Sequence, residues 1–320
     1  MKKLLDNICQ AIGETPMVRL SRVTKHYGVE GNIFAKLEYL NPGSSKKDRI
    51  ALQIIEEAEA SGKLVPGQTV VELTSGNTGT GLAIVCRAKG CPFIACMSEG
   101  NSMERARMMR ALGAEVVIVK QKESSKKGQV SGEDLALVEE EVQRIVKEKN
   151  AFRADQFKLK GSINAHKYHT AVEMWEQCDG KIDVFVDIVG SGGTFAGCAE
   201  KLKEYNPSIR CYIVEPEAAA IYAGKPTLNE GRHKIQGCGY NMILPLIDET
   251  LIDGCVQVTD DEAIDAARNL AKLEGTFVGF SSGANVAAAI KLLRDKEKGK
   301  NIVLSLNDSG LKYLSTDLFE

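Results

Sequence analysis

The stretch Thr69-Val70-Val71-Glu72-Leu73-Thr74-Ser75-Gly76-Asn77-Thr78-Gly79-Thr80-Gly81-Leu82-Ala83-Ile84-Val85-Cys86-Arg87-Ala88 decides the architecture. It passes from a β-branched run, through small and polar residues, into apolar residues at helical spacing. A short apolar run followed by a glycine-rich turn and a helix predicts a buried parallel strand with its crossover helix. The same alternation recurs on both sides. Strands are expected at Phe93–Met97, Glu115–Val119, Asp183–Val189 and Cys211–Val214. Helices are expected at Lys46–Ala60, Thr80–Ala88, Met103–Leu112, Glu139–Lys147, Phe195–Tyr205 and Val286–Leu293. The fold class is α/β, with a twisted, mostly parallel sheet flanked by helices in each of two domains.

Composition excludes several classes. The chain has 320 residues, 43% apolar and 26% charged, which is ordinary globular usage. Lys and Arg number 41 against 43 Asp and Glu. A net charge of -2 does not suggest a nucleic-acid partner. No apolar run is long enough for a membrane span. Asp6 and Asn7 interrupt any signal-peptide core, so a cytoplasmic location is expected. The nine cysteines are odd in number, scattered and without a CxxC pair, which fits reduced thiols and no disulfide framework. His166 and His169 share helical spacing, but no further ligand pair accompanies them, so no metal is expected. The polar run Gln121–Gln129 reads as a solvated loop ahead of a helix.

Four segments carry the candidate chemistry. In Asn41-Pro42-Gly43-Ser44-Ser45-Lys46-Lys47-Asp48-Arg49, a turn leads into a helix, with Ser45 and Asp48 spaced like a capping box. Lys47 then sits in the first helical turn beside Lys46 and Arg49. The helix dipole and the like charges both favour the neutral, nucleophilic amine there, while the stretch taken alone equally reads as a solvated lysine at a helix start. Thr74–Gly81 offers hydroxyls, an amide and backbone N–H groups, suited to a carboxylate or simply to capping a helix. Val189-Gly190-Ser191-Gly192-Gly193-Thr194 suits a phosphate at a helix start. A dinucleotide loop is the rival; Phe195 stands where its last glycine belongs, but Glu215 has the place of the ribose-binding acid. Gly279-Phe280-Ser281-Ser282-Gly283-Ala284-Asn285 opens the last long helix.

Together and in this order, these segments resemble the cysteine synthase (O-acetylserine sulfhydrylase)/cystathionine β-synthase family of fold-type II pyridoxal-phosphate enzymes. Ile12–Leu20, Gln156-Phe157, Val214-Glu215-Pro216, Lys234-Ile235-Gln236-Gly237 and Asp308–Thr316 add to the match. The resemblance implies that Lys47 forms the Schiff base with pyridoxal 5'-phosphate and moves the Cα proton. It implies that Asn77 bonds the cofactor's ring oxygen. Gly190, Ser191, Gly192, Gly193 and Thr194 would hold the phosphate, and Ser281 would face the pyridine nitrogen. Thr74, Ser75, Thr78 and Gln156 would bind the substrate carboxylate. The implied domains are a small, mobile, substrate-binding one at 41–156 and a large phosphate-binding one from 1–40 and 157–320, with the cofactor in the cleft between them. A homodimer is implied; binding of a serine acetyltransferase cannot be read.

The implied reaction is β-replacement on a serine- or cysteine-type amino acid through an α-aminoacrylate. The leading expectation is cysteine formation from O-acetylserine and sulfide. Departures from the family pattern keep a second reading open. Lys46 replaces a small aliphatic residue, and Ser44 and Ser191 are milder changes. Asn101 stands for a methionine, and Gly239-Tyr240-Asn241-Met242 is closer to the Gly-Tyr-Asp-Phe of cystathionine β-synthases. Asn101, Tyr240 and Asn241 would then bind a second amino acid. Such an enzyme would consume cysteine, release sulfide and form lanthionine or cystathionine. The chain ends soon after the last motif, so a C-terminal adenosyl-binding regulatory domain is not expected.

Overall fold

The structure, a computed structural model, describes residues 4–123, 125, 130 and 132–320. In chain order the strands are β1 (Met17–Arg19), β2 (Asn32–Leu37), β3 (Val70–Leu73), β4 (Phe93–Ser98) and β5 (Glu115–Val119). They continue as β6 (Phe152–Arg153), β7 (Val184–Ile188), β8 (Arg210–Pro216), β9 (Gly254–Val258) and β10 (Asn301–Leu306). They form two sheets and the chain divides into two compact units.

The smaller unit holds the sheet β5-β4-β3-β6, all of whose pairings are parallel. Every residue of β4 is buried, as expected of a central parallel strand covered on both faces. The helix Gly132–Lys149 lays Val138, Val142 and Ile145 on Val71, Ile94 and Cys96, an apolar stripe at spacings of four and three. Gln121 Nε2, the Lys122 amide and the Ser125 hydroxyl all donate to Asp134 in that helix. The rest of the expected polar loop, residues 124 and 126–129, lies outside the described residues.

This unit takes in the segment up to Gly13 and residues Asn41–Ser162. The sequence division gave 1–13 and 157–162 to the other domain. Tertiary bonds account for the difference. The 3-10 turn Ile8–Ala11 packs on the helix Asn77–Lys89, and the Gly13 amide donates to Asn41 Oδ1 at 2.8 Å. The Ser162 hydroxyl donates to the Gln156 carbonyl at 2.8 Å.

The larger unit, Glu14–Leu40 with Ile163–Glu320, holds the sheet β1-β2-β10-β7-β8-β9. Only the short β1 runs antiparallel. The runs Val184–Ile188 and Ile302–Leu306 are buried throughout, and the helix Phe280–Arg294 is nearly so. At the edge strand β9, Lys291 Nζ caps the Gln257 carbonyl at 2.8 Å, occupying an acceptor a foreign strand would seek. None of the nine cysteines is in a disulfide, and burial pushes the Cys96 and Cys211 thiols up to about 12. No described helix is long and apolar enough to cross a membrane.

Candidate active site

The smaller unit carries the amine and the hydroxyl-rich loop. Lys47 opens the helix Lys47–Ala60 and is half-buried. The expected capping box is rearranged. Lys47 N lies 3.3 Å from the Ser45 hydroxyl, while the buried Asp48 carboxylate reaches back to the Gly43 amide. A side chain at Gly43 would strike that carboxylate, so the turn requires glycine. At Gly81 a Cβ would come within 3.1 Å of the Lys47 carbonyl and of Ala51 Cβ. This close crossing sets the start of the helix Asn77–Lys89, and hence Asn77, beside the start of the Lys47 helix.

Thr74, Ser75 and Thr78 follow β3 directly. The Thr74 hydroxyl oxygen accepts from the Gly76 amide at 3.0 Å and the Gly79 amide at 2.9 Å. Two of the loop's N–H groups are therefore used internally. Arg105 Nη1 donates to the Ser75 carbonyl at 2.8 Å, and its stem fills the space above Gly76, whose φ is +140°. The Thr78 hydroxyl donates to Gln156 Oε1 at 2.7 Å, so the structure brings those two expected carboxylate ligands into contact. Behind them lies Glu72, fully buried, 2.9 Å from Arg153 Nε. Burial pushes the Glu72 carboxyl up to about 8, against the pull of the Arg153 guanidinium. Asn101 is half-buried in the turn before the helix Met103–Ala111, its amide bonded to the Ser98 carbonyl.

The larger unit carries the glycine loop and the serine. Gly190–Thr194 joins β7 to the helix Gly193–Tyr205. A Cβ at Gly190 would strike the Gly237 carbonyl oxygen. Gly192 has φ +87°, and a Cβ there would lie 2.8 Å from Ile247. Only glycine lets the backbone turn its N–H groups outward at this helix start. The buried Thr194 hydroxyl lies 3.2 Å from His166 Nε2, and His166 Nδ1 lies 2.9 Å from the Thr170 hydroxyl. Sequence reasoning weighed His166 only as a metal ligand with His169. In fact His166–Thr170 is a π-helical turn, His166 is buried between two threonines and His169 is exposed. No group of metal-ligating side chains gathers among the described residues.

Ser281 lies in the first turn of the helix Phe280–Arg294 and is 9% exposed. Asn307 Nδ2 donates to its hydroxyl oxygen at 3.2 Å. Asn307 Oδ1 in turn accepts from the Ser305 hydroxyl at 2.7 Å, and the same hydroxyl lies 3.3 Å from Asp187 Oδ1. Asn307 and Ser305 were not singled out in the sequence; the family-like ending was read only from Asp308 onward. Tyr240 is half-buried. Asn241 is exposed, with φ +53° and its Oδ1 accepting from the Thr227 hydroxyl at 3.0 Å. Its amide oxygen is thus engaged in shaping its own loop. Asn101 belongs to the smaller unit, and Tyr240 and Asn241 to the larger.

The dinucleotide rival fails at Glu215. Both carboxylate oxygens are taken by backbone amides, Tyr222 and Ala223, each at 3.0 Å. The acid closes a turn and has no oxygen directed at a ribose. A concavity of about 750 Å³ along β9, lined by Tyr222, Cys255 and Lys291, contains none of the candidate residues.

Residues 8–308 match the family described as pyridoxal-phosphate dependent enzyme, and the chain belongs to it. Its cofactor is pyridoxal phosphate. A cysteine synthase of Staphylococcus aureus is 40% identical over 319 residues, 99% of this chain and 98% of that one. A cystathionine beta-synthase of Apis mellifera is 38% identical over 98% of this chain, which spans 61% of that protein's length. The crystal structure of a cysteine synthase from Entamoeba histolytica superposes with a TM-score of 0.91 at 37% identity, covering 99% of this chain and 91% of the other. That of a hydrogen sulfide-producing enzyme from Fusobacterium nucleatum gives 0.88 at 36%, covering 97% and 100%.

The residues present fit the cofactor. The side-chain-free cradle at Gly190 and Gly192, set at a helix start, suits its phosphate. Ser281, with its oxygen already accepting, suits a ring nitrogen that needs a donor. Lys47 supplies the primary amine that aldehyde chemistry requires.

Proposed function

We propose that this enzyme performs β-replacement on a serine- or cysteine-type amino acid, with O-acetylserine and sulfide as substrates and cysteine as product. The carrying observation is the Ser305–Asn307–Ser281 chain of hydrogen bonds. Because Asn307 gives a proton to the Ser281 oxygen, the Ser281 hydroxyl keeps its own proton to offer. Such a donor matches a neutral pyridine nitrogen; a carboxylate in its place would hold that nitrogen protonated. Pyridoxal phosphate, when bound, supplies the electron sink that acidifies the substrate Cα–H. With the nitrogen neutral that sink is moderate. That chemistry would favour loss of the β-substituent with the Cα proton, the step for which Lys47 would serve as base.

The remaining roles belong to the same proposal. Lys47 holds and moves the Cα proton. Gly190, Ser191, Gly192, Gly193 and Thr194 bind the phosphate, with His166 steadying Thr194. Asn77 bonds the ring oxygen. Thr74, Ser75, Thr78 and Gln156 hold the substrate carboxylate, which makes the smaller unit the substrate-binding one. The homodimeric state and cytoplasmic residence belong to the same proposal, and light scattering and fractionation check them.

A second reading has cysteine as first substrate, with sulfide released and lanthionine or cystathionine formed. Similarity to the sulfide-producing enzyme of Fusobacterium nucleatum and the pair Tyr240-Asn241 support it; the engagement of Asn241 with Thr227 weighs against it. The deciding experiment compares sulfide release from L-cysteine alone with cysteine formed from O-acetylserine and sulfide. Faster cysteine formation upholds the first reading. Strong sulfide release with little use of O-acetylserine overturns it in favour of the second.

A further inference from the structure

Glu72 is a fully buried carboxylate that the proposed mechanism leaves unused. It stands on β3, two residues ahead of Thr74. One of its oxygens lies 2.9 Å from Arg153 Nε, and Arg153 Nη2 lies 2.9 Å from Glu139. The other oxygen faces Gln156, 3.5 Å from its amide nitrogen in the backbone and 3.4 Å from Nε2. On its far side Gln156 Oε1 accepts from the Thr78 hydroxyl at 2.7 Å.

Donor counting orients this chain. Once ionised beside Arg153, the Glu72 carboxyl only accepts, so Gln156 must then turn its NH2 to Glu72 and its oxygen to Thr78. Thr78 has a single hydroxyl proton, and that proton is committed to Gln156. A substrate carboxylate is also purely an acceptor. Of these two side chains, only the second N–H of Gln156 is left to serve it. With a neutral group at position 72 the amide can reverse. Thr78 would then accept from Gln156 and its own proton would be released.

We propose that Glu72 is a positioning residue for the substrate carboxylate: its charge, held beside Arg153, orients the Gln156 amide and so makes Gln156 rather than Thr78 the donor. This rests on the proposed placing of the substrate carboxylate at the Thr74–Thr78 loop beside Gln156. Glu72 touches no substrate itself and acts through Gln156. The whole device lies within the smaller unit, from β3 through the Thr74–Thr78 loop to the segment after β6.

The test is a double-mutant cycle on the holoenzyme at pH 9, above the range in which Glu72 takes up its proton. Glu72→Gln should raise KM for the amino-acid substrate, and its Kd from absorbance titration, by about five- to tenfold. The maximal rate and the visible spectrum of the holoenzyme should stay within about twofold, a split that general loosening of the fold would not produce. In a Gln156→Ala background the same substitution should cost less than about twofold, because the amide it orients is gone. Should Glu72→Gln leave an unpaired guanidinium that prevents folding, Glu72→Gln/Arg153→Gln removes both charges together and should give the same KM shift. Unchanged KM and Kd in a folded Glu72 variant overturn the proposal. So does a loss that persists in full beside a Gln156→Ala variant that is itself impaired. If Gln156→Ala alone leaves KM unchanged, the carboxylate assignment falls, and the positioning role falls with it.

Discussion

Two glycine-containing loops of this enzyme look alike in sequence and are built on opposite plans. Thr74–Thr78 and Gly190–Thr194 each leave a buried parallel strand and enter a helix of 13 residues. In the Gly190 loop the glycines hold by close packing, Gly190 against the Gly237 carbonyl and Gly192 against the Ile247 side chain. Neither position leaves room for a side chain of its own. In the Thr74 loop the side chains do the holding. Thr74 gathers two amides, Arg105 grips the Ser75 carbonyl and Thr78 leans on Gln156. The first plan suits a group that stays, a cofactor phosphate. The second suits a carboxylate that must come and go, because bonds between side chains re-form at small cost.

Removing Lys47 should separate the two plans most sharply. Lys47→Ala is expected to lower turnover by roughly a thousandfold or more, the scale of losing a catalytic acid–base. Cofactor should nevertheless be retained, now without its link to the protein, because the proposed phosphate cradle at the Gly190 loop is unchanged. Activity assays with absorbance of the dialysed protein check both; full activity would remove Lys47 from the chemistry. Next in size is Gly190→Ala, whose methyl would meet the Gly237 carbonyl. Cofactor occupancy should fall about tenfold, read as absorbance per mole of protein, a loss of the kind that overpacking causes. An equally severe loss from an alanine at Ser75 would erase the distinction between the loops.

Smaller effects probe the side-chain plan. Thr74→Ala removes the acceptor shared by the Gly76 and Gly79 amides and should cost about 1–3 kcal/mol in thermal or denaturant unfolding. Thr74→Ser, which keeps the oxygen, should recover most of it. The smallest expected signal is the pH dependence at Glu72. Its carboxyl is raised from the ordinary 4.5 to about 8 by burial, with Arg153 opposing and Asp155 and Glu139 adding to the rise; Cys96 also lies near. A raised carboxyl stabilises the folded chain fully below pH 4.5, and that contribution is lost as pH climbs through 8. Between pH 6 and 9 the melting temperature of the wild type should therefore fall more steeply than that of Glu72→Gln. Parallel slopes would mean that Glu72 stays ionised throughout.

What the sequence made legible was everything written in local order. Strand, loop and helix follow one another in Val70–Lys89 and again in Val184–Tyr205, so the period change is visible in the residues themselves. Pairings across the chain left no such mark. The bonds Arg105 to Ser75, His166 to Thr194 and Asn307 to Ser281 join residues about 30 positions apart. Each partner alone reads as an ordinary polar residue of a helix or turn. The π-helical turn at His166 is set by packing, since Gly197 brings its helix against the Ile163 carbonyl and the Lys167 amide. The division of the chain also escaped, because Gly13 is tied to the smaller unit through Asn41, and Ser162 through Gln156 and Leu159, by hydrogen bonds that leave no mark in local sequence.

The pairing of β2 with β10 sets an order of events during synthesis. Asn32 and Asn301 share a side-chain hydrogen bond across 269 positions, and six residue pairs beyond a crossover of that length lie side by side in parallel register. Closing so long a loop is slow, and nothing rewards it until both strands exist. The smaller sheet draws all its strands from Val70 to Arg153 and can form while the ribosome is still at work. The larger one keeps β2 waiting beside a finished neighbour until β10 emerges. A nascent chain halted before residue 301 should therefore yield a protease-resistant fragment from the smaller unit alone, with the Thr74–Thr78 loop assembled before the sheet that carries the Gly190 loop is complete.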